Sequence, residues 1–369
     1  MARKWTHGTA VVAAVALAAA CGGDGGGATP GEMAQGASGG GTTTLTGAGA
    51  TFPYPIYSRW FSDYASSHGV RVNYQSIGSG GGIRQLTEKT VDFGASDAPM
   101  NEEEMGAAPG TVHIPTVIGA VAVPYNLPSV SQPLRLDGAT LAGIFMGTVT
   151  RWNDPAIQGL NPGVQLPDRD ILVVHRSDGS GTTYVFTEYL AAVSPQWKDQ
   201  VGAGKAINWP AGLGAKGNEG VTGQVKQAEG AIGYVEQVYA QQNDLATALL
   251  QNQSGAFVGP DVEGASAAAA GAAAALQPGG ELTLSLVNAA GAQSYPITSW
   301  TYLLVPQNFA DCGRGRQVAD LIRWMLSDGD AAAAELGYAP LPQNVEAAAL
   351  AKVDALTCGP DQQPLGAGS

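Results

Sequence analysis

The chain has 369 residues, 44% hydrophobic and 13% charged, with 52 glycines and a formal net charge of −13. A single core rarely grows past roughly 250–300 residues, so this length suits two lobes, and the apolar share excludes wholesale disorder. With 18 Lys and Arg against 31 Asp and Glu and no basic run, the chain lacks the positive face that nucleic acids require, so they are excluded as partners.

Residues 1–20 have the layout of an export signal: Arg3 and Lys4, an apolar run over 11–20, then small residues leading to Cys21. The run is too short to span roughly 30 Å of hydrocarbon as a helix, so it is expected to be cleaved. Leu17-Ala-Ala-Ala-Cys21 resembles a bacterial lipobox, with Leu four places before the cysteine where most carry it three before. That resemblance implies lipidation of Cys21; ordinary signal cleavage, leaving a free thiol, is the alternative. The Gly-rich stretch that follows has a linker composition, which makes residues 21–43 a flexible tether.

From Leu45 onward, short apolar runs alternate with helical patterns, the rhythm of an α/β protein with a mainly parallel sheet. Strands are expected over 70–74 and 171–174, and helices over 53–67 and 182–193. Residues 264–278 are nearly all Ala and Gly; alanine's helix propensity favours a surface helix there, to which no function attaches. Cys312 and Cys358 are the two remaining cysteines of an exported chain, so one disulfide between them is expected, the alternative being two buried thiols.

Three glycine-rich turns carry the chemistry. Gly47-Ala-Gly-Ala-Thr-Phe-Pro-Tyr-Pro55 places two prolines in a first helical turn, so a helix starts just after Thr51. Ser76-Ile-Gly-Ser-Gly-Gly-Gly-Ile-Arg-Gln85 puts Ser79 at the entry of a helix bearing Ile83 and Leu86, and His175-Arg-Ser-Asp-Gly-Ser-Gly-Thr-Thr-Tyr184 follows a strand. In each, glycine lets the backbone approach a ligand, and Ser or Thr stands where a helix N-terminus points its free N–H groups. That combination makes an anion site; the bland reading of each hydroxyl alone is an N-cap.

None of the three fits a standard nucleotide or hydrolase pattern. No Gly-Lys-Ser/Thr occurs; Phe52 and Ile83 stand where a dinucleotide fingerprint needs Gly, and Asp178 and Thr182 flank Ser180 where a nucleophile elbow needs Gly. His68, His113 and His175 are not spaced as metal ligands, and His175 at a strand end reads as a packing or solvent-facing residue.

Thr46-Gly-Ala-Gly-Ala-Thr-Phe-Pro53, Val91-Asp-Phe-Gly-Ala-Ser-Asp-Ala-Pro99, Asp178-Gly-Ser-Gly-Thr182, Gly230-Ala-Ile-Gly-Tyr-Val-Glu236 and Tyr295-Pro-Ile-Thr-Ser299 closely resemble the PstS family. Its members are periplasmic or lipid-anchored phosphate-binding proteins of bacterial phosphate ABC transporters. The resemblance runs in collinear order from about residue 45 to about residue 345. It implies a type II periplasmic-binding-protein fold, two α/β lobes joined by two hinge crossings with the ligand between them. Residues 44–117 and 293–358 would form lobe I, 118–292 lobe II and 359–369 a tail.

Carried over by motif, the phosphate ligands are Thr51, Phe52 through its N–H, Ser79, Asp97, Arg176, Ser180, Gly181 and Thr182. The family's second turn often has a second Ser where this chain has Gly80, so a contact there falls to the backbone. Asp178 resembles the acidic partner that holds the arginine, a surface turn residue being the alternative. Trp152-Asn-Asp154, Gly217-Asn-Glu219 and Tyr338-Ala-Pro340 match family stretches that read as structural.

The residue types suit phosphate. A buried oxyanion needs a donor at nearly every lone pair; four hydroxyls and several N–H groups supply them, and the planar fork of Arg176 suits two-point contact. Asp97 can only accept when ionised, so it suits phosphate, which keeps a proton near neutral pH, and opposes sulfate, which has none. The expected function is extracytoplasmic capture of inorganic phosphate and its delivery to the permease and ATP-binding subunits of an ABC transporter, at a membrane held by the Cys21 lipid. No enzyme activity, cofactor or metal is expected. The alternatives are a secreted phosphatase on the same cradle, which lacks an evident Ser/His/Asp or metal constellation, and a binder of another tetrahedral oxyanion.

Overall fold

The computed structural model describes residues 44–276 and 280–366. The signal, Cys21, the tether, Pro278 and the end of the tail lie outside the described residues.

Two sheets organise the described chain. One has six strands in the order Val235–Glu236, Thr111–Ala122, Thr298–Pro306, Phe93–Ser96, Thr44–Gly49, Arg71–Ser76. The other has five, in the order Ala246–Thr247, Pro124–Tyr125, Ala231–Ile232, Leu172–Arg176, Leu213–Ala215. Thr44–Gly49 runs parallel to both Arg71–Ser76 and Phe93–Ser96, and Leu172–Arg176 runs parallel to both of its neighbours. The parallel rhythm therefore holds at the functional end of each sheet.

The six-stranded sheet as a whole is mixed, which departs from the expectation of a mainly parallel one: Thr298–Pro306 is antiparallel to Phe93–Ser96 and to Thr111–Ala122. Both long strands are buried almost throughout, so they read as continuous apolar runs with no alternation to reveal their direction. They also join the lobes. Val123 alone separates Thr111–Ala122 from Pro124–Tyr125 of the five-stranded sheet, and the chain returns at Thr298.

The helices follow from their apolar spacing. In Tyr54–His68 the residues Ile56, Tyr57, Trp60, Phe61 and Tyr64 form one buried face, and Gly69, at φ 70°, ends it by returning its N–H to the Ala65 carbonyl. Gly181–Val193 starts at Ser180, whose Oγ accepts the Thr183 N–H at 3.0 Å. The Ala-rich segment is the helix Val262–Ala275, beginning two residues before the expected start. Ala265, Ala268, Ala269 and Ala273 lie on one face packed against the two long strands, so a surface helix with a buried small-residue face results. Among the described residues no helix is long and apolar enough to cross a membrane.

Cys312 and Cys358 form the expected disulfide, tying the start of helix Cys312–Met325 to strand Thr357–Cys358 across 46 residues of sequence. Closing a loop of that length restrains the unfolded chain by about 2–4 kcal/mol. Replacing both cysteines by serine should lower unfolding free energy by about that amount in a denaturant titration, while ligand affinity changes less than about twofold because neither cysteine touches the candidate site.

Candidate functional site

Each expected ligand residue follows the C-terminal end of a strand, the place where open α/β sheets bind ligands. Thr51 and Phe52 follow Thr44–Gly49, Ser79 follows Arg71–Ser76 and Asp97 follows Phe93–Ser96. Arg176 ends Leu172–Arg176, and Ser180, Gly181 and Thr182 open the next helix. Thr51, Ser79, Asp97, Arg176, Ser180 and Thr182 are each no more than 3% exposed.

The turns meet one another directly. The Gly181 N–H donates to Ser79 Oγ at 3.0 Å, and the Gly80 N–H donates to the Gly179 carbonyl at 2.9 Å, so the backbone group of Gly80 is engaged across the cleft. A Cβ on Gly181 would sit 2.6 Å from Asp97 Oδ2 and 2.7 Å from its amide nitrogen, so only glycine permits this approach. At the rim, Lys205 Nζ reaches Glu104 Oε2 at 2.6 Å and the Pro99 carbonyl at 2.9 Å. The lobes are therefore closed on each other.

Two details sharpen the sequence reading. Ser180 caps its own helix, but Thr51 and Ser79 do not: each accepts an N–H from a different helix, that of Asn218 at 3.2 Å and that of Gly181 at 3.0 Å. One edge of the Arg176 fork is held by Asp178, whose two oxygens accept from Nε and Nη2 at 2.8 and 2.6 Å. Nη1 remains toward the cleft, 3.5 Å from Thr182 Oγ1. Asp178 therefore holds one edge of the guanidinium, and the other edge, Nη1 with the second N–H of Nη2, stays free for two-point contact with an anion.

Electrostatics follow from burial and pairing. Desolvation opposes the charge of Arg176, yet the Asp178 carboxylate more than offsets it and holds the guanidinium above its ordinary value. Burial alone would raise Asp178; its bonds to Arg176 and to the Gly217 N–H keep it below the usual carboxylate range. Asp97 goes the other way. Burial pushes it up to about 7, against the opposing pull of the Thr301 hydroxyl at 2.9 Å, the Arg176 charge, and the Asp97 and Thr182 amides.

Phe52 has a buried ring and its carbonyl is taken by Tyr338 Oη at 2.7 Å, leaving the backbone N–H as the group it can offer. His175 is half-buried and stacks on Trp209, with ring centroids 4.8 Å apart, so it packs beside the site. Among the described residues no group of three His, Cys, Asp or Glu is placed to hold a metal ion.

The residue that sequence reasoning missed is Asn218. It is fully buried, and its Nδ2 donates to Thr51 Oγ1 at 2.7 Å and to Thr182 Oγ1 at 3.3 Å. A signal was present: Gly217-Asn218 sits between a strand and a helix as the three glycine-rich turns do, and Gly217 takes φ 73°. Thr301, inside a strand, and Tyr239, which donates to the Thr51 carbonyl at 2.5 Å, had no such signal.

A family model described as a PBP superfamily domain matches residues 34–329. The phosphate-binding protein PstS of Pasteurella multocida is 48% identical over 303 residues, covering 82% of this chain and 87% of its own. That of Haemophilus influenzae is 47% identical, covering 82% and 90%, and that of Methanocaldococcus jannaschii 34%, covering 82% and 84%. Among solved structures, a human phosphate binding apolipoprotein superposes with TM-score 0.67 at 23% identity, covering 83% of this chain and 93% of its own, and so supports the fold. A high affinity periplasmic phosphate-binding protein superposes with TM-score 0.65 at 22% identity, covering 84% and 93%. By sequence and by fold, the chain belongs to the PstS family of phosphate-binding proteins within the PBP superfamily.

Proposed function

We propose that this chain is a non-enzymatic receptor that captures inorganic phosphate outside the cytoplasm and hands it to the permease and ATP-binding subunits of a phosphate ABC transporter. The ligands are Thr51, the Phe52 N–H, Ser79, Asp97, Arg176, Ser180, Gly181 and Thr182, with Asp178 holding the arginine. Residues 44–117 and 293–358 act as one lobe and 118–292 as the other, closing around the ion. Lipid on Cys21 and the tether over residues 21–43 keep the receptor at the membrane surface.

One observation carries this reading: a buried guanidinium, clamped by Asp178 and aimed by it, stands among hydroxyls drawn from three separate turns. Such a site exchanges the hydration of an oxyanion for fixed donors, and it needs the two lobes together, so ligand favours the closed form. Nothing in it activates a nucleophile, since the Ser180 oxygen is engaged as a helix cap.

Calorimetric titration of the protein with phosphate, arsenate and sulfate tests the reading. One phosphate should bind per chain, arsenate, which also keeps a proton, should compete with it, and sulfate should compete at least about tenfold more weakly at pH 8 than below pH 7. Turnover of a phosphomonoester, or absence of phosphate binding, would overturn it.

A further inference from the structure

Asn218 joins the two halves of the cradle, and we propose that it is a positioning residue that fixes the direction of the Thr51 and Thr182 hydroxyl protons, so that both can only donate to an anion in the cleft. This role rests on the phosphate-binding reading above and specifies how the site selects for an acceptor.

Asn218 opens the helix Gly217–Gln227 and is fully buried. Its Oδ1 accepts the backbone N–H of Glu236 at 3.0 Å. An amide has one acceptor end and one donor end, so that bond settles which end faces the cleft: Nδ2, the donor. Nδ2 reaches Thr51 Oγ1 at 2.7 Å, and the Asn218 backbone N–H reaches the same oxygen at 3.2 Å. A hydroxyl has two acceptor lone pairs and one proton. Both lone pairs of Thr51 are therefore engaged, and its proton is the group left over.

Thr182 is treated in the same way. Its Oγ1 faces Asn218 Nδ2 at 3.3 Å and Arg176 Nη1 at 3.5 Å, neither of which can accept. One side chain thus sets the polarity of a hydroxyl from the first turn and of another from the third. An anion then meets donors already aimed at it, and no hydroxyl has to turn from an alternative partner on binding. A ligand that offers hydrogens instead of lone pairs meets proton against proton. The surrounding web keeps the geometry: Tyr239 donates to the Thr51 carbonyl, and Tyr338 donates to the Phe52 carbonyl with its oxygen 3.1 Å from Glu236 Oε2.

A double-mutant cycle between Asn218 and Thr51, read by phosphate titration calorimetry, separates this role from general support of the fold. Asn218→Ala should weaken phosphate binding about tenfold in the wild-type chain, the loss expected from a misdirected hydrogen bond, but less than about threefold on a Thr51→Val background, where the main hydroxyl it acts through is gone. Equal factors in the two backgrounds would overturn the proposal. Should the alanine variant fail to fold, Asn218→Asp preserves the shape and the pH comparison below tests the role in its place.

The aspartate also gives a pH readout. Its carboxylate accepts the protons of Thr51 and Thr182 and reverses them, so affinity relative to wild type should fall about a hundredfold at pH 8 and recover to within about tenfold at pH 5, as the carboxyl regains a proton to donate. Asp97, Arg176, Asp178 and Glu236 face the same region and are present in both proteins, so the ratio isolates position 218. A ratio that does not change with pH would overturn the proposal. If the wild-type chain binds no phosphate, the functional reading fails; if it binds and the cycle is additive, only the role of Asn218 fails.

Discussion

Arg176→Ala is expected to weaken phosphate binding by about three orders of magnitude. The guanidinium is 3% exposed, and truncating one partner of a buried, hydrogen-bonded charge pair removes about 2–5 kcal/mol of binding, roughly 30- to 5,000-fold. The upper half of that range is favoured because two effects act together. The cleft loses a cation, and Lys205 at its rim is already paired with Glu104. Asp178, which now binds Nε and Nη2 of the arginine, is left as a free carboxylate facing an incoming anion. Arg176→Lys should recover little and remain at least about tenfold weak, since an ammonium is a point donor that cannot hold Asp178 at two oxygens and also face Thr182. Titration calorimetry reads both variants, with thermal melting to verify that each is folded. Binding by Arg176→Ala within threefold of wild type would remove the arginine from the site.

The turns of this site were legible in the sequence because glycine and a hydroxyl at a strand-to-helix junction have few other reasons to coincide three times. Thr51, Ser79 and Ser180 were read from that pattern, and the resemblance to the family supplied Asp97, which no local pattern would have singled out. The disulfide followed from counting cysteines, and the helix Gly181–Val193 was read to within a residue. What stayed hidden depends on contacts distant in sequence. Asn218 reads as an ordinary residue at a helix start, since its hydrogen bonds to Thr51 and Thr182 exist only once both lobes are folded and closed. Thr301 looks like a β-former inside a strand, yet its hydroxyl is what meets Asp97. The direction of Thr298–Pro306 was concealed by burial on both faces, which removes the alternation that separates antiparallel strands from parallel ones. The two-point grip of Asp178 on one edge of Arg176 was hidden for a geometric reason: residues 176 and 178 are close in any turn, but only the turn's actual course decides whether a carboxylate meets one nitrogen or two.

Asp97→Asn is the substitution expected to change which anion binds. In the folded protein burial raises the Asp97 carboxyl to about 7, with the Thr301 hydroxyl and Arg176 holding it from going higher. Below that pH the group carries a proton and can donate to sulfate; above it the group can only accept, which the residual proton of phosphate satisfies and sulfate cannot. Sulfate competition should therefore weaken by about tenfold for each pH unit above about 7, while phosphate binding shows no such fall. In Asp97→Asn the amide can donate at every pH, so sulfate should compete at pH 8 and its pH dependence should vanish. The same titration acts on stability. Because the folded value lies above the ordinary 3.8, the carboxyl's contribution is fully present below the unfolded value and is lost as pH rises through about 7. The asparagine variant escapes that loss, so its ligand-free stability relative to wild type should rise by roughly 1.4 kcal/mol per pH unit between about pH 4 and 7 and level off above. Thermal melts across that range measure the slope, and competition calorimetry measures the anions. Continued rejection of sulfate by Asp97→Asn at pH 8 would take specificity away from Asp97 even if the stability slope appeared.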